Sequence, residues 1–580
     1  MTKTLRVETV AQAYLELLRD RGIDCFFANA GTDFASIVDA FARFQTDGKT
    51  TPRPIVVPHE FVAVSMAHGY YLVTGRPQAV MVHVTVGTAN GAGAIINASR
   101  TQVPILFTAG RTPITEDGAL PGARDTHIHW AQEAFDQAGM LREYVKWDYE
   151  LRQAAQLEAV VDRALELAMA EPRGPVYLTL PREVLAQPLG ELTIASPPRR
   201  QVESRRFPDP IRIEEAAERL AHARNPLIVT AELGRSHAAV DGLVRLADAG
   251  AFPVLEANPV YVSFPADHPC HAGWFFGSQY YAGIAEADVV LVIDCDVPWY
   301  PSRARPADDA TVIQLAVDPF YSRYPMRSYA CDVPVAAEPA VALPLLAEAV
   351  RRRVDPAVVA ARRARLAATH RTQRDAWAKA AAAEADLTPI GFQWASRCVG
   401  EVLGPDTIVV NEYPLDIRHA PPAGPGTCFG SPHSGGLGWA LGTALGAKLG
   451  APEKTVIATV GDGAYIFGAP TAAHLAAQLH RLPFLTVIFN NGEWEAVERA
   501  TRAVHPDGWA ATTAAFPLTA LSATARYEEI VRSFGGHGER VEDPGALPGA
   551  LRRALRVVRE EGRQAVLNVI CRRQPGSPKG

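Results

Sequence analysis

The chain alternates short, wholly apolar runs with stretches of helical periodicity. Residues 455–460 and 485–489 are two such runs, and residues 470–480 between them carry apolar positions at helical spacing. Apolar runs without polar alternation predict strands covered on both faces, and hence a β-α-β unit with parallel strands. Strands of such a unit end on the same edge of the sheet, where ligands bind. The first run ends in Gly461-Asp462-Gly463 and the second in Asn490-Asn491-Gly492-Glu493-Trp494. Asp462 and Asn491, 29 positions apart (491 − 462), are therefore expected to be spatial neighbours.

The same alternation fills the rest of the chain. The pattern predicts a helix over 9–21 directly after the N-terminus, strands at 24–27, 55–57, 79–84 and 104–107, and a helix over 61–74. A Gly-rich turn is expected at 86–91, and a helix opening at 434–442. In the middle third, strands are predicted at 226–230, 253–255, 289–293 and 311–315. The proline-rich stretch 195–210 reads as a linker, and 355–386 as a connecting helix. The fold class that follows is α/β, with three consecutive doubly wound parallel-sheet domains. Expected boundaries are 1–190, 191–350 and 386–570, with the connecting helix at 351–385 and a tail at 571–580.

Bulk properties change this picture little. A chain of 580 residues exceeds one hydrophobic core, in agreement with three domains. A net charge of −6 gives no support for nucleic-acid binding. No apolar run is long enough to span a membrane, and no signal-peptide core precedes the first helix. The seven cysteines show no C-x-x-C spacing, so reduced thiols and a cytoplasmic location are expected.

The candidate chemistry lies at strand ends. Asp462, the Asn491 amide oxygen and a backbone carbonyl are hard oxygen donors suited to Mg²⁺ or Ca²⁺ beside a diphosphate. Gly461 and Gly463 let backbone approach that diphosphate. Glu60 stands at a predicted strand-to-helix junction, within His59-Glu60-Phe61-Val62-Ala63-Val64-Ser65-Met66-Ala67-His68-Gly69-Tyr70-Tyr71. Together the GDG…NN pattern and this block resemble the thiamine diphosphate (ThDP) enzymes of the decarboxylase and acetohydroxyacid synthase type. The resemblance spans nearly the whole chain. It implies that Glu60 hydrogen-bonds the aminopyrimidine ring and that Gly87 and Asn90 line its pocket, although Gly87-Thr88-Ala89-Asn90 replaces the usual Gly-Pro-Gly-like turn. It implies that Gly436 and Leu437 support the bent cofactor, and that Gly461, Asp462, Gly463, Ala464 and Asn491 hold the diphosphate and Mg²⁺. The backbone carbonyl of Glu493 is the implied third metal ligand. His127, His129 and Gln132 fall on a loop implied to meet substrate. Because the two cofactor-binding domains come from different chains in these enzymes, a homodimer is the implied minimum and a homotetramer the expected form. In the CoA-using branch the central domain holds ADP, for which Arg235, Asp296 and Asp318 are candidates here.

Glu493 departs from the small residue or Thr found in many relatives. A carboxylate there can take a proton from a substrate hydroxyl or return one after cleavage. Decarboxylation of a 2-oxo acid needs no such base. With Asn-Asn-Gly-Glu-Trp, the chain resembles the actinobacterial 2-hydroxyacyl-CoA lyases, in particular those acting on 2-hydroxyisobutyryl-CoA. The resemblance implies an acyl-CoA thioester substrate, with formyl-CoA and a ketone or aldehyde (acetone) as products. The three cations Arg572, Arg573 and Lys579 on the tail could then meet CoA phosphates. An acetolactate-synthase-like carboligase or a 2-oxo acid decarboxylase is the other enzymatic reading. A non-catalytic ThDP-fold subunit is the reading outside enzymes, against which the joint presence of Glu60, Asp462 and Asn491 speaks.

Overall fold

A computed structural model describes residues 1–199, 204–276, 281–522 and 524–573. Three six-stranded sheets, every one parallel throughout, follow one another along the chain. Their inner strands are the apolar runs of the sequence, whereas edge strands such as Asp148–Glu150 and His537–Val541 are largely polar. Thr455–Gly461 and Leu485–Asn490 are buried at nearly every position and pair side by side. The helix between them, Pro470–His480, is preceded by a single short helix, Asp462–Phe467.

Numbered in chain order within each sheet, the first and third sheets share the strand order 2-1-3-4-6-5, and the central sheet runs 3-2-1-4-5-6. In each, the order reverses beside the first strand, which opens a crevice at the carboxyl ends of the strands there. In the first sheet this point lies after Cys25–Ala28 and Gln78–Val82; in the third, after Thr407–Glu412 and Thr455–Gly461. In the central sheet it lies after Pro226–Thr230 and Val289–Ile293.

The first and third domains meet along helices Glu60–Thr74 and Trp439–Gly450. Glycine makes that approach possible. A Cβ on Gly446 would lie 1.9 Å from the Met66 carbonyl oxygen, and one on Gly69 would lie 2.0 Å from that of Thr443. The connecting helix is Pro356–Ala382, and its Arg362 donates to the carbonyls of Gly250 and Ala223 in the central domain.

Three expectations need correction. The chain does not enter its first helix directly: Thr2–Arg6 forms a strand antiparallel to Glu191–Ala195, which ties that second segment to the first domain. The Gly-rich turn at 86–91 is helical, because helix Val84–Arg100 starts earlier and carries Gly87 and Asn90 in its first turns. The helix predicted over 434–442 starts at Trp439, so Gly436 and Leu437 lie on the loop that enters it. Tail residues 574–580 and linker residues 200–203 lie outside the described residues.

Candidate active site

Glu60 is the first residue of its helix and is buried, 8 % exposed. Two amides fix its carboxylate: Asn29 donates to Oε1 at 2.9 Å and Asn90 to Oε2 at 2.5 Å. Beside it, His83 follows the strand Gln78–Val82 directly. Its Nδ1 lies 2.5 Å from Oδ1 of buried Asp33, and its Nε2 lies 3.2 Å from the Gln132 amide nitrogen. The hydrogen bond to Asp33 holds the His83 imidazole above its usual range, against the effect of burial. Among the described residues, Gln132 Oε1 is buried without a hydrogen-bond partner. Glu60, His83 and Gln132 thus form one cluster.

Of the two loop histidines, His127 is exposed. His129 is buried, accepts from the Asp125 backbone N–H at Nδ1, and has its pKa lowered by that burial. The structure therefore brings Gln132, rather than either loop histidine, against the His83 ring.

The second cluster lies on the third sheet. Asp462 is 2 % exposed, and its Oδ2 accepts from Gly492 N at 3.0 Å, so the two motifs close on each other as expected. The indole of Trp494 packs on Gly463, where a Cβ would lie 2.4 Å from the ring. Asn491 donates to Glu495 Oε2 at 2.7 Å, and its Oδ1 accepts from Glu493 N. Asn490 is not a ligand candidate: its Oδ1 accepts from Gly492 N, and its amide donates to Asn568, which donates to Glu528. Burial pushes the Asp462 carboxyl up to about 6, and the nearby charge of Glu493 adds to it, against three backbone N–H groups that favour the anion. Glu493 Oε1 pairs with the Arg573 guanidinium, which also lies 3.0 Å from Glu498. Among the described residues, Glu493 Oε2 is buried without a hydrogen-bond partner.

Leu437 packs against the shared core of the first and third domains. Asn97 brackets its loop, accepting from Ser434 Oγ at 2.7 Å and from Gly436 N at 3.2 Å, and donating to Gly436 O at 2.9 Å. Buried Glu412 accepts from Gly438 N and Ala440 N at the helix start.

Sequence models of the thiamine pyrophosphate (thiamine diphosphate) enzymes match this chain three times. The N-terminal TPP-binding domain covers residues 8–140, the central domain 213–346 and the C-terminal TPP-binding domain 415–569. The chain belongs to the thiamine-diphosphate-dependent enzymes. Among relatives of this family, it is 29 % identical to benzoylformate decarboxylase of Pseudomonas aeruginosa over 85 % of this chain and 87 % of that protein. It is 24 % identical to 2-hydroxyacyl-CoA lyase of Oryza sativa subsp. japonica over 89 % and 88 %. The solved 4-hydroxybenzoylformate decarboxylase of Rhodococcus jostii RHA1 shares the fold, with a TM-score of 0.76 at 23 % identity over 98 % of this chain and all of that one.

The residues present fit the family's cofactor. A buried carboxylate held by two amides on the first sheet suits a ring nitrogen that shares a proton. On the third sheet, the raised Asp462 carboxyl, with backbone N–H groups as its hydrogen-bond partners, is a group that a divalent cation would stabilise. Among the described residues no cluster of three or more His, Cys, Asp or Glu side chains forms a metal site. A Mg²⁺ site here would instead combine one carboxylate with amide and backbone oxygens. Nor is any described helix long and apolar enough to cross a membrane.

His83 and Asp33 escaped the sequence reading. The available signal was position: each follows a strand beside the sheet's order reversal. That signal becomes legible only once the strand order is known.

Proposed function

We propose that this ThDP enzyme is a carbon–carbon lyase that cleaves a 2-hydroxyacyl-CoA, with 2-hydroxyisobutyryl-CoA as the expected substrate, to formyl-CoA and a ketone or aldehyde. The observation that carries the proposal is Glu493. One of its carboxylate oxygens is clamped by Arg573; the other, next to Asp462, has no hydrogen-bond partner among the described residues. A carboxylate so held can accept the 2-hydroxyl proton of the substrate, whose loss drives C–C cleavage. It can return that proton to the one-carbon fragment. Bound ThDP supplies the nucleophilic carbon and the electron sink. Glu60 holds a proton at the pyrimidine ring nitrogen, and Asn29 and Asn90 fix its direction. His83, paired with Asp33 and facing Gln132, is a second proton carrier on the same edge. Asp462 and the oxygens of Asn491 and the Glu493 backbone would hold Mg²⁺, while Gly461, Gly463 and Ala464 leave room for the diphosphate. Leu437 would support the bent cofactor.

The Glu60 and Asp462 clusters lie on different sheets, so the site is read as formed between two chains of a homodimer, itself paired into a tetramer. Exposed Val56, Val86, Phe135, Ile466, Phe467 and Leu518 supply apolar surface for such contacts. A cleft of about 300 Å³ lined by Arg173, Arg235, Ser236 and Asp294 supports ADP binding at the central domain. Of the earlier candidates only Arg235 lines it: Asp296 faces His433 and Asp318 closes its own turn.

The likeness to benzoylformate decarboxylase favours 2-oxo acid decarboxylation as the second reading. Offering the holoenzyme a panel of 2-hydroxyacyl-CoA thioesters and 2-oxo acids separates the two. Formyl-CoA from the thioesters supports the lyase, and CO₂ from the oxo acids alone overturns it.

A further inference from the structure

His433 opens the loop that carries Leu437, and its ring is held in the central domain. Nδ1 lies 2.9 Å from Asp296 Oδ2, and Nε2 lies 2.9 Å from the Asn258 carbonyl oxygen. Asp296 accepts at both oxygens: Tyr324 Oη donates to Oδ2 at 2.6 Å and Val297 N to Oδ1 at 2.7 Å. The Asn258 carbonyl can only accept, which places a proton on Nε2, and an ionised Asp296 places one on Nδ1; against the Asp296 anion the ring is an imidazolium. Asp296 is 3 % and His433 18 % exposed at the side chain, so water competes little for either.

We propose that His433 is a positioning residue: clasped by Asp296 and Asn258, it ties the 433–438 loop to the central domain and so fixes Leu437 where the bent cofactor rests. This inference rests on the reading of Leu437 as the cofactor support. Asn97 and Glu412 anchor the same loop to the first and third domains, so the clasp supplies its remaining tie. Backbone continuity makes the tie direct. Gly430 N donates to Val260 O, and Tyr261 bridges Phe429, so the central-domain segment 258–261 runs beside residues 429–433. The loop position then depends on how the central domain sits against the third.

Charge makes the clasp testable. Burial opposes the imidazolium, but the hydrogen bond and charge of Asp296, with the charge of Glu232 behind it, lift His433 to about 9. Burial likewise opposes the Asp296 anion, and His433 still holds its carboxyl below the ordinary range. The other charged or titratable groups here are Tyr324 on Asp296 Oδ2, Arg327 on the Asp296 carbonyl, Cys295, Tyr321 and Tyr329 beside Asp296, and Arg235 with Asp294 flanking Glu232, whose own carboxyl burial lifts to about 7. Because the folded pKa lies above the free value near 6.5, the clasp is fully made below about pH 6.5 and lost as pH rises through about 9.

The test compares ThDP affinity, in saturating Mg²⁺, for wild type and His433→Gln, with Asp296→Asn as a second variant. Near-ultraviolet circular dichroism of the bound cofactor is read alongside. The ratio of variant to wild-type Kd is expected to be about tenfold at pH 7 and to fall to about threefold at pH 9.5, as the wild-type clasp titrates away. A general folding defect would give a ratio that does not change with pH, and that outcome overturns the clasp. Leu437→Ala provides the separation. If it alters the cofactor signal while His433→Gln and Asp296→Asn do not, the clasp falls and the Leu437 reading stands. If none of the three alters it, both fall.

Discussion

At the residue scale, two carboxylates have separable proposed duties. Glu60 is fixed by Asn29 and Asn90, and the duty proposed for it is proton sharing with the cofactor. Glu60→Gln should slow exchange of the cofactor's reactive C–H with deuterium by about 100-fold, followed by NMR, while the protein stays folded. Exchange at the wild-type rate would remove Glu60 from that role. The substrate duty is proposed for Glu493. Glu493→Ala should leave ThDP affinity within about twofold and cut lyase turnover at least about tenfold, measured as formyl-CoA formed per site. These two residues were legible in the chain because each is adjacent to a motif that marks a strand end. The partners that aim them were not: Asn29 is 31 positions from Glu60, and Arg573 is 80 from Glu493. Such pairings are products of strand order, which no local pattern encodes.

At the element scale, the strands were the easiest part to read. Parallel strands covered on both faces must be apolar at nearly every position, as Val289–Ile293 and Leu485–Asn490 are. Thr2–Arg6 was missed for the converse reason: it is a two-stranded edge with a single buried residue, Leu5, and has no apolar run. The helix starts later than expected, at Trp439, because the glycines at 435, 436 and 438 favour a tight loop over a helical turn. Here Gly435 and Gly438 take positive φ, 69° and 87°, which fixes the loop. The helix pair Glu60–Thr74 and Trp439–Gly450 gives a direct prediction. In Gly446→Ala the new methyl would be forced onto the Met66 carbonyl, costing about 1–3 kcal/mol by overpacking. Thermal unfolding of the variant measures it, and an unchanged midpoint would show that the seam is looser than described.

At the scale of the whole molecule, the first and third sheets repeat one strand order, and each bears half of the candidate site at its reversal point. If the halves that work together come from different chains, mixing two inactive variants restores activity. A Glu60→Gln chain exchanged with a Glu493→Ala chain forms dimers in which one site carries both lesions and the other neither. Recovery should approach a quarter of wild type, half of the mixed dimers' sites at half abundance, and no recovery after verified exchange would place each site within one chain. Cofactor should also act as a whole-molecule ligand: ThDP with Mg²⁺ should raise the unfolding midpoint, and a chelator should reverse the gain. The reaction itself is read by incubating the holoenzyme with 2-hydroxyisobutyryl-CoA and resolving the thioester products by mass. Formyl-CoA and acetone in equal amounts are expected of the lyase; intact substrate beside CO₂ released from a 2-oxo acid would overturn it.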